Sequence, residues 1–150
     1  MTKGEYAETL FKQGYNCSQS VACAFAPELH LPIETVAKMM SGFGGGFGRM
    51  REVCGAVSGM TFVTSTLCGY DDPAATDEKT AVYTMIQTLA QQFKAQTGSI
   101  LCRELLALPE AAAPCSAVAS LRTEAYYQKR PCAALCHIAA DLAAEQLNMK

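Results

Sequence analysis

The sequence predicts an all-α fold: one domain over residues 1–150, a bundle of about six to eight helices around a buried central helix at about residues 51–68. Apolar residues recur at helical spacing along almost the whole chain, whereas the alternation typical of strands is nearly absent. A chain of 150 residues also matches one domain with a single hydrophobic core.

The N-terminal part is expected to form three helices. The first spans about residues 3–13 and ends at Gly14, where a left-handed conformation costs little. The second begins after Asn16, a favourable N-cap residue, and stops near Pro27. The third begins around Pro32.

A glycine-dense loop at residues 42–48 leads into the central helix. There Gly55 and Gly59 lie four residues apart, so another backbone can approach that face closely. Residues 53–70 are uncharged and long enough to raise the question of a membrane span. Their many hydroxyl side chains make them too polar for one, so a helix buried in the protein is the better interpretation and no membrane insertion is expected.

The rest of the chain completes the bundle. A long amphipathic helix is expected at about residues 72–96, followed by a short helix capped by Ser99. The Pro- and Ala-rich residues 107–114 predict a loop. Residues from 115 to about 127 are expected to be helical, and a last helix starts at Pro131.

Charge and the N-terminal residues exclude some classes of function. The formal net charge is −2, with 12 basic and 14 acidic residues and no basic run, so nucleic acid is not an expected partner. The N-terminus lacks the basic start and apolar run of a signal peptide, so the chain is expected in the cytoplasm.

The chain has eight cysteines, which in a reducing compartment indicates metal binding or redox chemistry more than structural disulfides. Four of them lie at expected helix starts: Cys17, Cys54, Cys102 and Cys132. The N–H groups and dipole of a helix start favour thiolate over thiol, and basic residues stand beside three of the four. These four are therefore the candidate redox thiols and the candidate ligands of a metal or cofactor.

The other four cysteines are interpreted differently. We interpret three of them as small apolar residues that fill the core, a common use of free cysteine: Cys23, Cys68 and Cys136. Cys115 stays open, because it could also begin a helix. The sequence has no C-x-x-C pair, so any site must be assembled from distant segments.

Two further patterns are weak. The residues from Cys132 to His137 approach the haem-attachment pattern C-x-x-C-H but have one residue too many between the thiols. The glycine loop lacks the lysine of a phosphate-binding loop and follows a helix instead of a strand. We interpret His137 as a partly buried helix residue and His30 as an exposed loop residue.

The order of these motifs resembles the C_GCAxxG_C_C family, whose members are grouped as redox-active proteins. The segments that carry the resemblance are G-Y-N-C-S-Q-S-V at 14–21, the glycine loop with C-G-A-V-S-G at 54–59, G-S with C-R-E-L-L at 98–106, and P-C at 131–132. The resemblance covers most of the chain and implies that the signature cysteines are the same four. It also implies a redox or metal role, because the family is similar to part of a multihaem cytochrome that carries an iron–sulfur centre and its members tend to be linked with transporters and oxidoreductases.

The leading hypothesis is a site of these four cysteines that holds an iron–sulfur cluster, most simply 2Fe–2S, and passes single electrons to a partner protein. In a close variant the same residues form two dithiol/disulfide pairs. A structural zinc site in a binding module is an alternative. So is a helical interaction protein without a cofactor, in which the cysteines fill the core. Whether the chain is an enzyme stays open, and the glycine loop and the Gly55/Gly59 face could serve a homodimer.

Overall fold

The computed structural model describes residues 1–107 and 116–149, and in these ranges the regular structure is helical, with no strand. The helices are α1 (Lys3–Lys12), α2 (Cys17–Cys23), α3 (Ala26–Leu29), α4 (Ile33–Met40), α5 (Gly55–Cys68), α6 (Thr76–Thr97), α7 (Cys102–Leu105), α8 (Glu124–Lys129) and α9 (Cys132–Gln146). A 3₁₀ turn, Ser41–Phe43, follows α4. The all-α prediction is confirmed.

Local capping explains where the first two helices begin. The Thr2 side chain accepts from the N–H of Glu5, and the Glu5 carboxylate accepts from the N–H of Thr2, which makes a capping box. Asn16 and Gln19 make the same arrangement at the start of α2. α2 ends before Pro27, which lies instead in the first turn of α3, where its missing N–H costs nothing.

α2 lies at the centre of the bundle, packed against α1, α4, α5 and α9, and six of its seven residues are buried. A Cβ added to Gly59 of α5 would lie 2.8 Å from the Cβ of Val21. The close-approach face of Gly55 and Gly59 is therefore covered by α2 of the same chain, and it is not open to a second copy.

The expected central helix is only partly buried. α5 begins at Gly55 instead of near residue 51, because Cys54 is its N-cap residue. Its first ten residues lie mostly in the core, but residues 65–68 are exposed because the helix extends past its neighbours. The centre of the fold is thus shared by α2 and the first part of α5.

α6 packs on α5 and α9 along a narrow stripe of Val82, Leu89 and Phe93. It begins later than expected because the Asp72 side chain accepts from the N–H of Ala74 and forms a turn before the helix. In the part of the chain that the structure describes, no helix is long and apolar enough to cross a membrane.

Of the helix expected at residues 115–127, the described part shows only α8, while residues 116–123 are non-helical. The predictions for residues 108–114 and for Cys115 lie outside the described residues. α9 is tied to α1 by His137, whose ring nitrogens lie 2.9 Å from Glu8 Oε2 and 3.1 Å from Asp141 Oδ2. His137 is a half-buried structural residue and His30 an exposed one, as expected.

Candidate functional site

Four helix starts converge on one small cavity. Cys17, Cys102 and Cys132 are the first residues of α2, α7 and α9, and Cys54 is the N-cap residue of α5. All four side chains line the same cavity, which has a volume of about 50 Å³. The structure therefore brings together the four cysteines that sequence analysis selected, while their chemical role stays a prediction.

A short antiparallel pairing places Cys54 beside Cys102. Val53 and Leu101 form an isolated bridge, the N–H of Cys54 donates to the carbonyl of Ile100 at 2.8 Å, and the N–H of Cys102 donates to the carbonyl of Glu52 at 2.6 Å. These bonds join two segments that are distant in sequence, so the starts of α5 and α7 are fixed relative to each other.

The glycine loop closes the cavity through an uncommon backbone conformation. Residues 45–49 all have positive φ angles between 60° and 74°, and Arg51 has a φ of 62°. Because Phe47, Arg49 and Arg51 carry side chains, each left-handed residue costs on the order of 1–2 kcal/mol. Such strain is typical of functional sites. Here it turns the chain so that the Arg51 side chain is buried at the cavity.

A fifth cysteine belongs to the cluster. Cys136 is fully buried, its Sγ lies 3.8 Å from the carbonyl oxygen of Cys17, and the nearby Cys17 thiol shifts its pKa. The thiols of Cys17 and Cys132 likewise shift each other's pKa. The interpretation of Cys136 as filler missed this contact, although its position four residues after Cys132 places both side chains on one helix face.

The other two described cysteines lie outside the cluster. Cys23 is buried in α2, with its Sγ 3.7 Å from the carbonyl oxygen of Ile33, in agreement with a filler role. Cys68 is exposed, so its interpretation as core filler was wrong. The reason is that the last turn of α5 extends beyond the core.

Burial affects the pKa of the Cys54, Cys102 and Cys136 thiols more than the helix dipole does. Burial raises the pKa of Cys54 to about 12, although the N–H groups of Ala56 and Val57 lower it. Burial likewise raises the pKa of Cys102 and of Cys136, more than Arg51 lowers that of Cys102. We expected helix starts to favour thiolates, but the desolvation of a charge in this cavity outweighs that effect.

The thiols of Cys17 and Cys132 shift each other's pKa. The hydrogen bond from Cys132 is the largest influence on Cys17 and lowers its pKa, but the bond to Cys136 and burial together hold that pKa well above its usual value. The hydrogen bond to Cys17 is the main cause that raises the pKa of Cys132, followed by burial. The reduced cluster is therefore a set of neutral thiols.

Three arginines line the thiol cavity: Arg51, Arg122 and Arg130. Arg51 is 8 % exposed, and its Nη1 lies 3.6 Å from Cys102 Sγ. Within residues 1–107 and 116–149, none of the three has a carboxylate within ion-pair distance. Sequence reasoning missed Arg122, which reaches the cavity from a non-helical segment.

The residues present do not form a ready metal site. Four cysteines are the ligand set of an iron–sulfur cluster or of structural zinc. Among the described residues, however, no group of three or more Cys, His, Asp or Glu side chains is arranged to hold a metal ion. The structure thus shows a cysteine cluster without the geometry of a metal centre.

Comparison with known proteins agrees with the cysteine pattern. A family model described as "Putative redox-active protein (C_GCAxxG_C_C)" matches residues 15–146. Comparisons with curated proteins and with solved structures gave no match. Since the matched residues include every cysteine of the cluster and most of the chain, the protein belongs to the C_GCAxxG_C_C family.

Proposed function

We propose that this protein carries electrons through thiol/disulfide exchange at its clustered cysteines. The observation that carries the proposal is that the buried thiols of Cys17 and Cys132 line one small cavity, with Cys136 Sγ 3.8 Å from the carbonyl oxygen of Cys17. Thiols gathered in this way can be joined by side-chain movements, which makes a disulfide accessible from the reduced fold.

The cysteines divide into two pairs. Cys17 and Cys132 form one pair through their thiol contact, with Cys136 as a second neighbour of Cys17. Cys54 and Cys102 form the other pair, since backbone hydrogen bonds hold their segments side by side. Each pair supplies two electrons when it becomes a disulfide.

The reaction that we propose is balanced by a disulfide on the reaction partner. One thiolate attacks a sulfur of that disulfide, whose S–S bond breaks as a mixed disulfide forms. The second thiol of the pair then displaces the partner's remaining sulfur. The two cysteines lose two electrons and two protons, and the partner gains both and leaves as two thiols.

Arg51 supports the attacking role of Cys102. A guanidinium next to a thiol stabilises the thiolate, which is the nucleophile in exchange. Only Cys102 has such a contact in the hydrogen-bond pattern of the described residues. We place the working protein in the cytoplasm, a compartment in which protein thiols are kept reduced.

A bound iron–sulfur cluster is the second candidate, and a specific observation favours it. The cavity carries three arginines that have no carboxylate within ion-pair distance among residues 1–107 and 116–149, and a cluster held by four thiolates is an anion. Cys17, Cys54, Cys102 and Cys132 would hold it, and it would supply single-electron transfer to a partner protein. Zinc on the same thiolates would add stability without redox chemistry.

Purification without oxygen separates these candidates. Thiol/disulfide exchange predicts a colourless, metal-free protein whose count of alkylatable thiols falls by two for each disulfide formed on mild oxidation. A cluster predicts a brown protein with iron and sulfide that are lost in Cys17→Ala, and zinc predicts a colourless protein with bound zinc. The matched control is Cys23→Ala, a buried cysteine of the same helix outside the cluster.

Thiol/disulfide exchange is wrong if the count of alkylatable thiols does not change on oxidation. If the protein also contains neither iron nor zinc, it is a helical interaction protein whose cysteines are filler.

A further inference from the structure

A second, wider cleft adjoins the thiol cavity. Its volume is about 550 Å³, and the glycine loop and residues 117–122 form its sides. It shares Arg51, Arg122 and Arg130 with the thiol cavity, so the two spaces are neighbours with common walls. We call this space the arginine cleft.

Three of the arginines that line the arginine cleft, Arg51, Arg122 and Arg130, form no ion pair with a carboxylate of the described residues. No Asp or Glu is among the described residues that line it. Arg51 is more than nine-tenths buried, and no carboxylate of the described chain lies within ion-pair distance of it. Burying a charge without a partner is costly, so a cleft of this kind is suited to an anion from outside.

Arg122 is held in place before any ligand arrives. Its guanidinium donates to the carbonyl oxygens of Phe11 and Tyr15 and lies 4.3 Å from the centroid of the Phe11 ring. Arg130 lies 5.0 Å from the centroid of the Tyr126 ring, which also lines the cleft. Because these contacts order the side chains in advance, binding an anion there loses less conformational entropy.

The volume of the arginine cleft indicates the class of ligand that it can bind. At about 550 Å³, it is in the range of small-molecule binding sites. The cluster thiols that face the shared cavity are at most 9 % exposed, so a folded protein surface reaches them less easily than a small molecule does.

We propose that the arginine cleft binds a small anionic disulfide, and its thiol product, through carboxylates on the arginines, and presents a sulfur to Cys102. This inference rests on the proposed thiol/disulfide function and names its substrate class. Cys102 attacks one sulfur, and half of the ligand leaves as a thiol. Cys54 then attacks the Cys102 sulfur, and the other half leaves as a second thiol, with two electrons and two protons transferred.

The test compares two disulfide reagents that differ in charge: dithiobis(nitrobenzoate), which is anionic, and dithiodipyridine, which is neutral. Stopped-flow absorbance follows thiol release in a Cys68→Ser, Cys115→Ser background, so that the cluster dominates the signal. Arg130→Gln should slow the anionic reagent by about tenfold, a typical size for electrostatic guidance, and leave the neutral one unchanged. Added salt should slow only the anionic reagent.

Two further variants make the result specific. Arg130→Lys keeps the charge and should restore most of the preference. Lys94→Gln removes one positive charge from an exposed position on α6, away from the cleft, and should change neither rate.

Equal effects of Arg130→Gln on both reagents, or no effect on either, would overturn the anionic substrate while the exchange chemistry stands. That outcome would point instead to a neutral substrate or a protein partner. If neither reagent produces an intramolecular disulfide in the wild type, the proposed function itself fails.

Discussion

The carbonyl oxygen of Cys17 lies 3.8 Å from the Sγ of Cys136, a contact between the first turn of α2 and the second turn of α9, which are far apart in sequence. Cys17 also lines the same small cavity as Cys132. One thiol thus has two possible disulfide partners.

This arrangement predicts how disulfides form in single variants. In the oxidised wild type, we expect a bond between Cys17 and Cys132, the thiol closer to the cavity. In Cys132→Ala, Cys17 should pair with Cys136 instead, because that thiol is already in contact with it. Peptide mapping by mass spectrometry after oxidation identifies the pairs. Finding Cys17 unpaired in both proteins would contradict the assignment.

A second prediction concerns Arg51 and Cys102. Burial raises the pKa of Cys102, and the Arg51 guanidinium at 3.6 Å partly offsets this. Arg51→Gln should therefore raise the pKa further and slow the alkylation of Cys102 by iodoacetamide at about pH 8. Arg51→Lys, which keeps the charge, should react faster than Arg51→Gln. Equal alkylation rates in all three proteins would show that Arg51 does not tune this thiol.

A third prediction tests the packing that positions Cys17. A Cβ at Gly59 would lie 2.8 Å from Val21 Cβ and 2.9 Å from the carbonyl oxygen of Ser18. Gly59→Ala should therefore lower the free energy of unfolding by about 1–3 kcal/mol, as overpacked cores do. The control is Gly42→Ala, where an added Cβ meets no atom within 4 Å. Urea denaturation measures both, and similar losses in the two variants would argue against the close approach of α2 and α5.

A fourth prediction follows from His137 and Glu8. Their hydrogen bond lowers the pKa of Glu8 below its usual 4.5 and raises the pKa of His137 above its usual 6.5. The Glu8 contribution to stability is present above pH 4.5 and is lost as the pH falls through its lowered pKa. The His137 contribution is present below pH 6.5 and is lost as the pH rises through its raised pKa.

The pair should therefore stabilise the fold most between pH 4.5 and 6.5. His137→Gln should lower the urea midpoint more in that window than at about pH 8. The exposed His30 offers the control His30→Asn, since asparagine tolerates its left-handed backbone. A loss in His137→Gln that is independent of pH would show that the interaction with Glu8 is not what stabilises the fold.

The features that can be predicted from the sequence, such as the starts of helices, depend on residues close together in the chain. Capping residues such as Asn16 act within one helical turn, so the start of α2, and with it the position of Cys17, can be read from a few neighbouring residues. The four candidate cysteines lie at helix starts for the same reason. Their convergence on one cavity agrees with the prediction from sequence, but whether they exchange electrons is a question of chemistry.

The remaining features depend on tertiary contacts. The contact of Cys136 with Cys17 depends on α9 packing beside α2, whereas the four-residue spacing indicates only that Cys136 and Cys132 share a helix face. Arg122 reaches the site from a non-helical segment. The exposed position of Cys68 follows from the length of α5 relative to its neighbours. The protonation of the thiols was predicted wrongly because helix dipoles are local, whereas burial is a property of the whole fold.

The central claim is that the cysteine cluster is redox-active, and an equilibrium titration in dithiothreitol redox buffers tests it most directly. At each potential, alkylation followed by mass spectrometry counts the free thiols at Cys17, Cys54, Cys102, Cys132 and Cys136. We expect a reversible two-electron transition in which Cys17 and Cys132 become protected together. This transition should disappear in Cys17→Ala and persist in Cys23→Ala. If all five cluster thiols stay free across the whole range of potentials, the cluster is not redox-active.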